Sequence, residues 1–335
     1  MIIEERIKTF VALGEYLRTP STALNEAMSL ANAKNKWFTI DNIQRSIDSI
    51  VSAFLDEENL KSWTDQYTFS DSVKTIGVVA AGNIPLVAFH DVLCVLIAGH
   101  RLKIKLSEKG AVLLPFLLNK LIDIDSRFSD RIEIVDRLEQ FDAVIATGSN
   151  NTARYFEYYF GKHPNIIRKN RNSIAILTGE ESIEELFQLG EDIFTYFGLG
   201  CRNVSKLWVP KDYDFKNFTK AISQYQSLMD HYHYKNNLDY NRTLLLMNQI
   251  PMLDIDFVNV VENKMIPSPI SNIHYEFYDS LASVRNEIDL KKEEIQCIVG
   301  SIEALCNVDF GKAQSPGLAD YADNIDTMSF LTNLS

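Results

Sequence analysis

A cysteine follows two glycines between a helical stretch and a strand-like one, in Phe197-Gly198-Leu199-Gly200-Cys201-Arg202-Asn203-Val204-Ser205-Lys206-Leu207. Glycine turns a chain sharply because it enters φ > 0 without a Cβ clash. A cysteine on such a turn can offer an accessible sulfur with backbone N–H groups beside it, which is what an acyl-transfer nucleophile needs. A small buried core residue would look the same at this point, because free cysteine is often one. The other cysteines say less. Cys94 lies in an apolar helical run and Cys297 in a strand-like one, so both read as core, and Cys306 has no evident role. No CxxC occurs, and thiols in a reducing cytoplasm are the simplest reading. His231-Tyr-His233 invites a metal, but two alternating histidines with no nearby cysteine ligand make a poor site, so no metal is expected.

The elements that would hold these groups follow from the periodicity. Residues 1–70 read as helices: Ile3, Ile7, Phe10, Leu13 and Leu17 share one face, and Thr39 is placed to cap a helix carrying Ile43, Ile47, Ile50, Val51 and Leu55. Strand-like runs then alternate with helices. The expected strands are Lys74 to Gly82, Arg101 to Ser107, Arg131 to Val135, Phe141 to Thr147 and Ser173 to Gly179. A helix should open at Asn83-Ile84-Pro85, with Pro85 in its first turn, and others should cover Gly110 to Leu121 and Asn150 to Tyr159. This alternation predicts an α/β fold with a doubly wound parallel sheet. Ligands bind such sheets beyond the strand carboxyl ends, where Gly82-Asn83, Ser107-Glu108 and Gly148-Ser149 fall. A helix from Glu181 to Tyr196 should precede Cys201. Beyond it, Ser205 to Val209, Arg242 to Met247, Val258 to Val261, His274 to Tyr278 and Ile295 to Val299 read as strands, and Phe215 to Met229 and Ala282 to Ile288 as helices. The domains expected are a helical layer at 1–70, a cofactor-binding domain at 71–179, a smaller catalytic α/β domain at 180–309 and a tail at 310–335.

The 335 residues are enough for one large or two medium domains. A formal charge of −12 argues against a nucleic-acid or anionic-membrane partner. No apolar run is long enough for a membrane span, and the N-terminus lacks a signal-peptide core, so a cytoplasmic location is expected. Neither GxGxxG nor GxxxxGK[ST] occurs, so the usual nucleotide fingerprints are missing.

Four segments in order resemble the aldehyde dehydrogenase superfamily. Ala81-Gly82-Asn83-Ile84-Pro85 is similar to its Asn-Phe-Pro turn, and Lys105-Leu106-Ser107-Glu108 to its Lys-Pro-Ser-Glu strand end. Thr147-Gly148-Ser149 is similar to its Phe-Thr-Gly-Ser turn, and Gly200-Cys201 to its Gly-Gln-x-Cys nucleophile. The nearer likeness, over most of residues 30–335, is to the acyl-CoA reductase family of the bacterial luminescence fatty-acid reductase. It is carried by Gly82-Asn83-Ile84-Pro85, Gly200-Cys201-Arg202-Asn203, Ile295-Gln296 and Phe310-Gly311-Lys312-Ala313. The resemblance implies reduction of an acyl thioester, on CoA or a carrier, to an aldehyde with NADPH through an acyl-cysteine. It implies Cys201 as nucleophile and Asn83 as oxyanion donor. Lys105, Ser107 and Glu108 would hold the cofactor's adenosine ribose, and Gly148 and Ser149 its pyrophosphate side. It also implies an acyl-activating partner enzyme, and is compatible with a homo-oligomer.

Local readings stand beside these roles. Asn83 could cap the helix before Pro85, Lys105 could be a solvated edge charge, and Ser149 could be only a helix cap. The run Arg168-Lys169-Asn170-Arg171 reads as a solvated loop or a phosphate contact. It also aligns with the Glu-Leu-Gly-Gly segment whose glutamate activates water in hydrolytic members, and it holds no carboxylate. A glutamate at position 108 pairs with a free 2′-hydroxyl and would repel a 2′-phosphate, which leaves NADH open unless Lys103, Lys105 and Lys109 offset it. Two rival functions use the same residues: a CoA-acylating aldehyde dehydrogenase, and an acyl-transfer protein that never uses nicotinamide.

Overall fold

The computed structural model describes residues 1–334, which form two compact units, 1–170 with 316–334, and 171–315. The first begins with four helices, α1 (Ile3–Arg18), α2 (Thr22–Lys34), α3 (Ile40–Ala53) and α4 (Glu57–Thr64). Thr39 caps α3 by accepting the N–H of Asn42, and Ile43, Ile47, Ile50 and Val51 are buried on one face. Then come β1 (Thr75–Val79), α5 (Phe89–Ile97), β2 (Arg101–Lys105), α6 (Leu113–Ile124), β3 (Ile132–Ile134), β4 (Ala143–Thr147), α7 (Asn150–Phe160) and β5 (Asn165–Arg168). All five strands are parallel, in the order β3-β2-β1-β4-β5. The chain therefore winds outward from β1 to β3, then crosses back to β4, which leaves a topological switch between β1 and β4. The helical layer of residues 1–70 packs on the parallel sheet and shares one core with β1, β2, α5 and α6.

The helix expected from Asn83 starts later, at Phe89. Residues 83–88 form a turn in which Leu86 has φ +55, and Pro85 is buried there with its carbonyl accepting the Ser46 hydroxyl. Asn83 does not cap α5, whose cap position is Ala88.

The second unit contains β6 (Asn172–Ile176), α8 (Ile183–Phe194), β7 (Val204–Pro210), α9 (Lys216–Ile222), α10 (Tyr232–Met247), β8 (Met252–Ile255), β9 (Val258–Glu262), β10 (Asn272–Tyr278), α11 (Leu281–Lys291) and β11 (Ile295–Val299). Its sheet runs β11-β6-β7-β10-β9-β8 and is parallel except for the edge pair β8–β9. Two expectations are corrected here. Arg242 to Met247 is the end of α10, not a strand: Tyr234, Leu238, Asn241 and Leu245 are buried at helical spacing. The boundary expected at 179 lies at 170, because β6 pairs with β7 and β11. The tail divides as well: residues up to 315 belong to the second unit, and 316–334 return to the first, where a last helix, Thr327–Thr332, buries Met328 and Leu331.

Candidate active site

Cys201 sits on the turn between α8 and β7, half-buried. The approach is tightly wound. A 3-10 turn, Thr195–Gly198, holds Tyr196 at φ 55 and Phe197 at φ 59, both buried, before Gly198 at φ 75. Left-handed non-glycine residues persist only where their surroundings fix them, at about 1–3 kcal/mol each. Asn203 supplies much of that fixing. Its side chain is 1% exposed. The carbonyl oxygen accepts the N–H of Gly200 at 2.8 Å, and the amide donates to the carbonyls of Asp192, Ile193 and Thr195 at 2.9–3.1 Å. One amide thus spans the turn on both sides of the cysteine. From β6, the buried Ser173 hydroxyl donates to the Cys201 carbonyl at 3.2 Å. The Phe197 ring lies 4.2 Å from that of His231. His231 itself accepts the N–H of Tyr234 and caps α10, and no group of three or more His, Cys, Asp or Glu placed for a metal occurs among the described residues. Cys94 and Cys297 are core, as the sequence indicates.

A second buried polar residue joins this turn. Asp192, fully buried on α8, accepts the N–H of Gly311 at 2.7 Å and of Ala313 at 2.9 Å. The Ala313 carbonyl in turn accepts the Arg202 guanidinium, next to Cys201. Burial pushes the Asp192 carboxyl up to about 7, against the pull of its two N–H donors. Nothing in the local sequence marks Asp192 beyond a carboxylate on a helix face that is otherwise apolar, and its partners lie more than a hundred residues away.

In the first unit the remaining candidates gather at one sheet edge. Val79 of β1 pairs with Lys105 of β2 and Ala146 of β4, so the loops after these three neighbouring strands emerge side by side. Asn83, Lys105, Glu108 and Ser149 are exposed there, and Ser107 and Gly148 half-buried. A Cβ on Gly82 would run into Ser107 Oγ, so a side chain there would displace the serine hydroxyl from its bond to Gly110. Ser107 accepts the N–H of Gly110, and Ser149 caps α7 by accepting that of Thr152. Both serines thus have local work, whatever else they do. Lys103 is committed to Glu133 and the Glu139 carbonyl, so it does not counter Glu108.

The basic run at 168–171 is not a solvated loop throughout. Arg168 ends β5 and is 4% exposed. Its guanidinium donates to both carboxylate oxygens of Asp91 on α5, at 2.8 and 2.7 Å, and to the Thr327 hydroxyl at 2.9 Å. Lys169 is exposed and paired with Glu157. Arg168 is therefore a structural tie and not a phosphate contact.

No protein-family model matches the sequence, and no curated protein matches it. Solved structures do match its fold. Aldehyde dehydrogenase 21 from Physcomitrella patens, solved with succinate, superposes with a TM-score of 0.68 at 13% identity, over 91% of this chain and 74% of that one. Betaine aldehyde dehydrogenase from Staphylococcus aureus, solved with NAD+, gives 0.62 at 14% identity, over 88% and 69%. An aldehyde dehydrogenase from Bacillus cereus, also solved with NAD+, gives 0.63 at 14%, over 86% and 69%. At such identity the likeness is one of fold: this chain has the two-domain α/β architecture of the aldehyde dehydrogenases.

Proposed function

We propose that this protein reduces an acyl thioester to an aldehyde with a reduced nicotinamide cofactor, through an acyl-cysteine at Cys201. The observation that carries the reading is the cysteine turn, which places a half-buried cysteine on a backbone fixed by Asn203 within this fold. The Cys201 thiolate attacks the thioester carbonyl, and the donor thiol leaves with a proton. The Asn83 amide and the Cys201 N–H are the donors assigned to the oxyanion, and loss of one such donor costs about 3–4 kcal/mol elsewhere.

A dinucleotide suits the edge after β1, β2 and β4. The switch point is where such sheets take one. Lys105 and Glu108 stand exposed beside it, and α7 directs its N-terminus there, as suits a pyrophosphate. When bound, the cofactor supplies hydride to the acyl carbon, and the resulting thiohemiacetal at Cys201 expels the aldehyde and regenerates the thiolate. We assign NADPH on the family likeness. With Lys103 committed elsewhere, Lys105 and Lys109 are the cations left to offset Glu108, so NADH competes. The direction rests on 168–171, which holds no carboxylate to activate water and whose Arg168 is tied to Asp91. The acyl enzyme would then outlive hydrolysis.

The test is a steady-state assay with acyl-CoAs of graded length and either NADPH or NADH, with aldehyde detected directly. Aldehyde formed in step with cofactor oxidation supports the reading. Aldehyde oxidation to free acid, with no thioester reduction, would sink it. Co-purification with an acyl-activating enzyme would identify the donor's source.

A further inference from the structure

We propose that Asp192 is a positioning residue for Cys201, holding the cysteine turn through the 311–313 segment and doing so fully only as a carboxylate. The inference rests on the reading of Cys201 as nucleophile. The geometry is a closed path. The two Asp192 oxygens take one backbone N–H each, from Gly311 and Ala313. The Ala313 carbonyl takes the guanidinium of Arg202. The Asp192 main-chain carbonyl takes the Asn203 amide and, at 3.4 Å, the Gln314 amide. Arg202 and Asn203 flank the nucleophile's turn directly. Gly311 lies at φ 77, with Gln188 of α8 where a Cβ would reach, so this segment is pressed against the helix.

A carboxylate offers an acceptor to each N–H, whereas a neutral acid turns one oxygen into a donor facing an N–H. Protonation therefore breaks one of two buried bonds and frees the segment that anchors Arg202. Two charged groups act on Asp192: Glu191 on the same helix, whose carboxylate accepts the Tyr225 hydroxyl, disfavours the charge, and Arg202 favours it. Lys312 and Asp309 on the facing segment are exposed. The carboxyl titrates near neutrality because burial outweighs its donors, so the tie changes within a working pH range.

The experiment compares the full chain with Asp192→Asn, whose amide copies the neutral acid. Two readouts need no substrate: hydrogen exchange of the Gly311 and Ala313 amides, corrected for intrinsic rate, and Cys201 alkylation by iodoacetamide, normalised to a small free thiol. At pH 8.5 the variant should exchange about tenfold faster, the equivalent of one buried hydrogen bond, and alkylate at Cys201 severalfold more slowly. At pH 5.5 both differences should vanish. A variant-to-wild-type ratio that is flat across this range, or alkylation that is faster in the variant, would overturn the proposal. If the variant does not fold, wild type decides alone: protection of these two amides must rise with a midpoint near neutrality, and a constant protection would overturn it. Failure of acyl-CoA to label Cys201 would reject the proposed reaction and leave these readouts untouched.

Discussion

Asn203 shows how a single side chain can define a site. It makes four hydrogen bonds at 1% exposure, one to the N–H of Gly200 just before Cys201 and three to the end of α8. Asn203→Ala strands buried groups at both ends, and each uncompensated group costs about 1–3 kcal/mol. We expect a loss of about 3 kcal/mol in urea titration, together with slower Cys201 alkylation. Asn203→Asp should also destabilise, because it puts a carboxylate among three carbonyls. At this scale the sequence was informative where chemistry and backbone coincide: two glycines before a cysteine mark a turn. It was silent on Asp192 and on Asn203's bonds, which depend on groups brought together only by the fold. The helix expected to open at Asn83 was placed too early: residues 83–88 form a turn with Leu86 at φ +55, and α5 starts at Phe89.

Elements are tied across long sequence separations, and here local reading was weakest. Arg168 and Asp91 are 77 residues apart and join β5 to α5, with Thr327 of the last helix as a third partner. A run of four polar residues looks like a loop because nothing nearby reveals a buried partner. Asp91→Ala would leave an uncompensated guanidinium at 4% exposure. Breaking a buried pair from one side costs about 3–5 kcal/mol, and we expect that loss in a denaturant midpoint. Replacing Asp91 and Arg168 together by Leu and Met should cost much less. Short apolar runs are similarly ambiguous. Leu244, Leu245 and Leu246 suggested a strand, but only Leu245 is buried and the stretch ends α10.

At the scale of the whole molecule, alternation of strands and helices was enough to predict a parallel α/β architecture, but not where one sheet stops and the next begins. Both Ser173 to Gly179 and its neighbours read as strands, and only pairing assigns β6 to the second sheet. Nor does periodicity show that the tail returns to the first unit, where Tyr321 accepts the Trp63 indole N–H and shares a hydrogen bond with Tyr67. A chain ending at 315 should lose the cooperative unfolding of that unit, as followed by tryptophan fluorescence. Buried groups act on stability against pH with opposite signs. His90 is held near 4 by burial, so below about 6.5 the unfolded chain takes a proton the folded one refuses. Stability is lost as pH falls toward 4, by about 3 kcal/mol. Asp192 works the other way: its raised pKa costs stability as pH rises from about 4 to 7, by about 4 kcal/mol. His90→Gln should reduce the acid-side loss, which the buried His100 and His274 share, and Asp192→Asn should remove the neutral-side one, as read from urea midpoints between pH 4 and 8. Intact-protein mass spectrometry after incubation with acyl-CoAs, for wild type and Cys201→Ala, with and without NADPH, reads the acyl-cysteine itself. We expect an adduct of acyl mass on wild type alone, discharged when NADPH is added. An adduct that NADPH leaves intact would contradict the reductive step, and no adduct from any thioester donor would contradict the nucleophile itself.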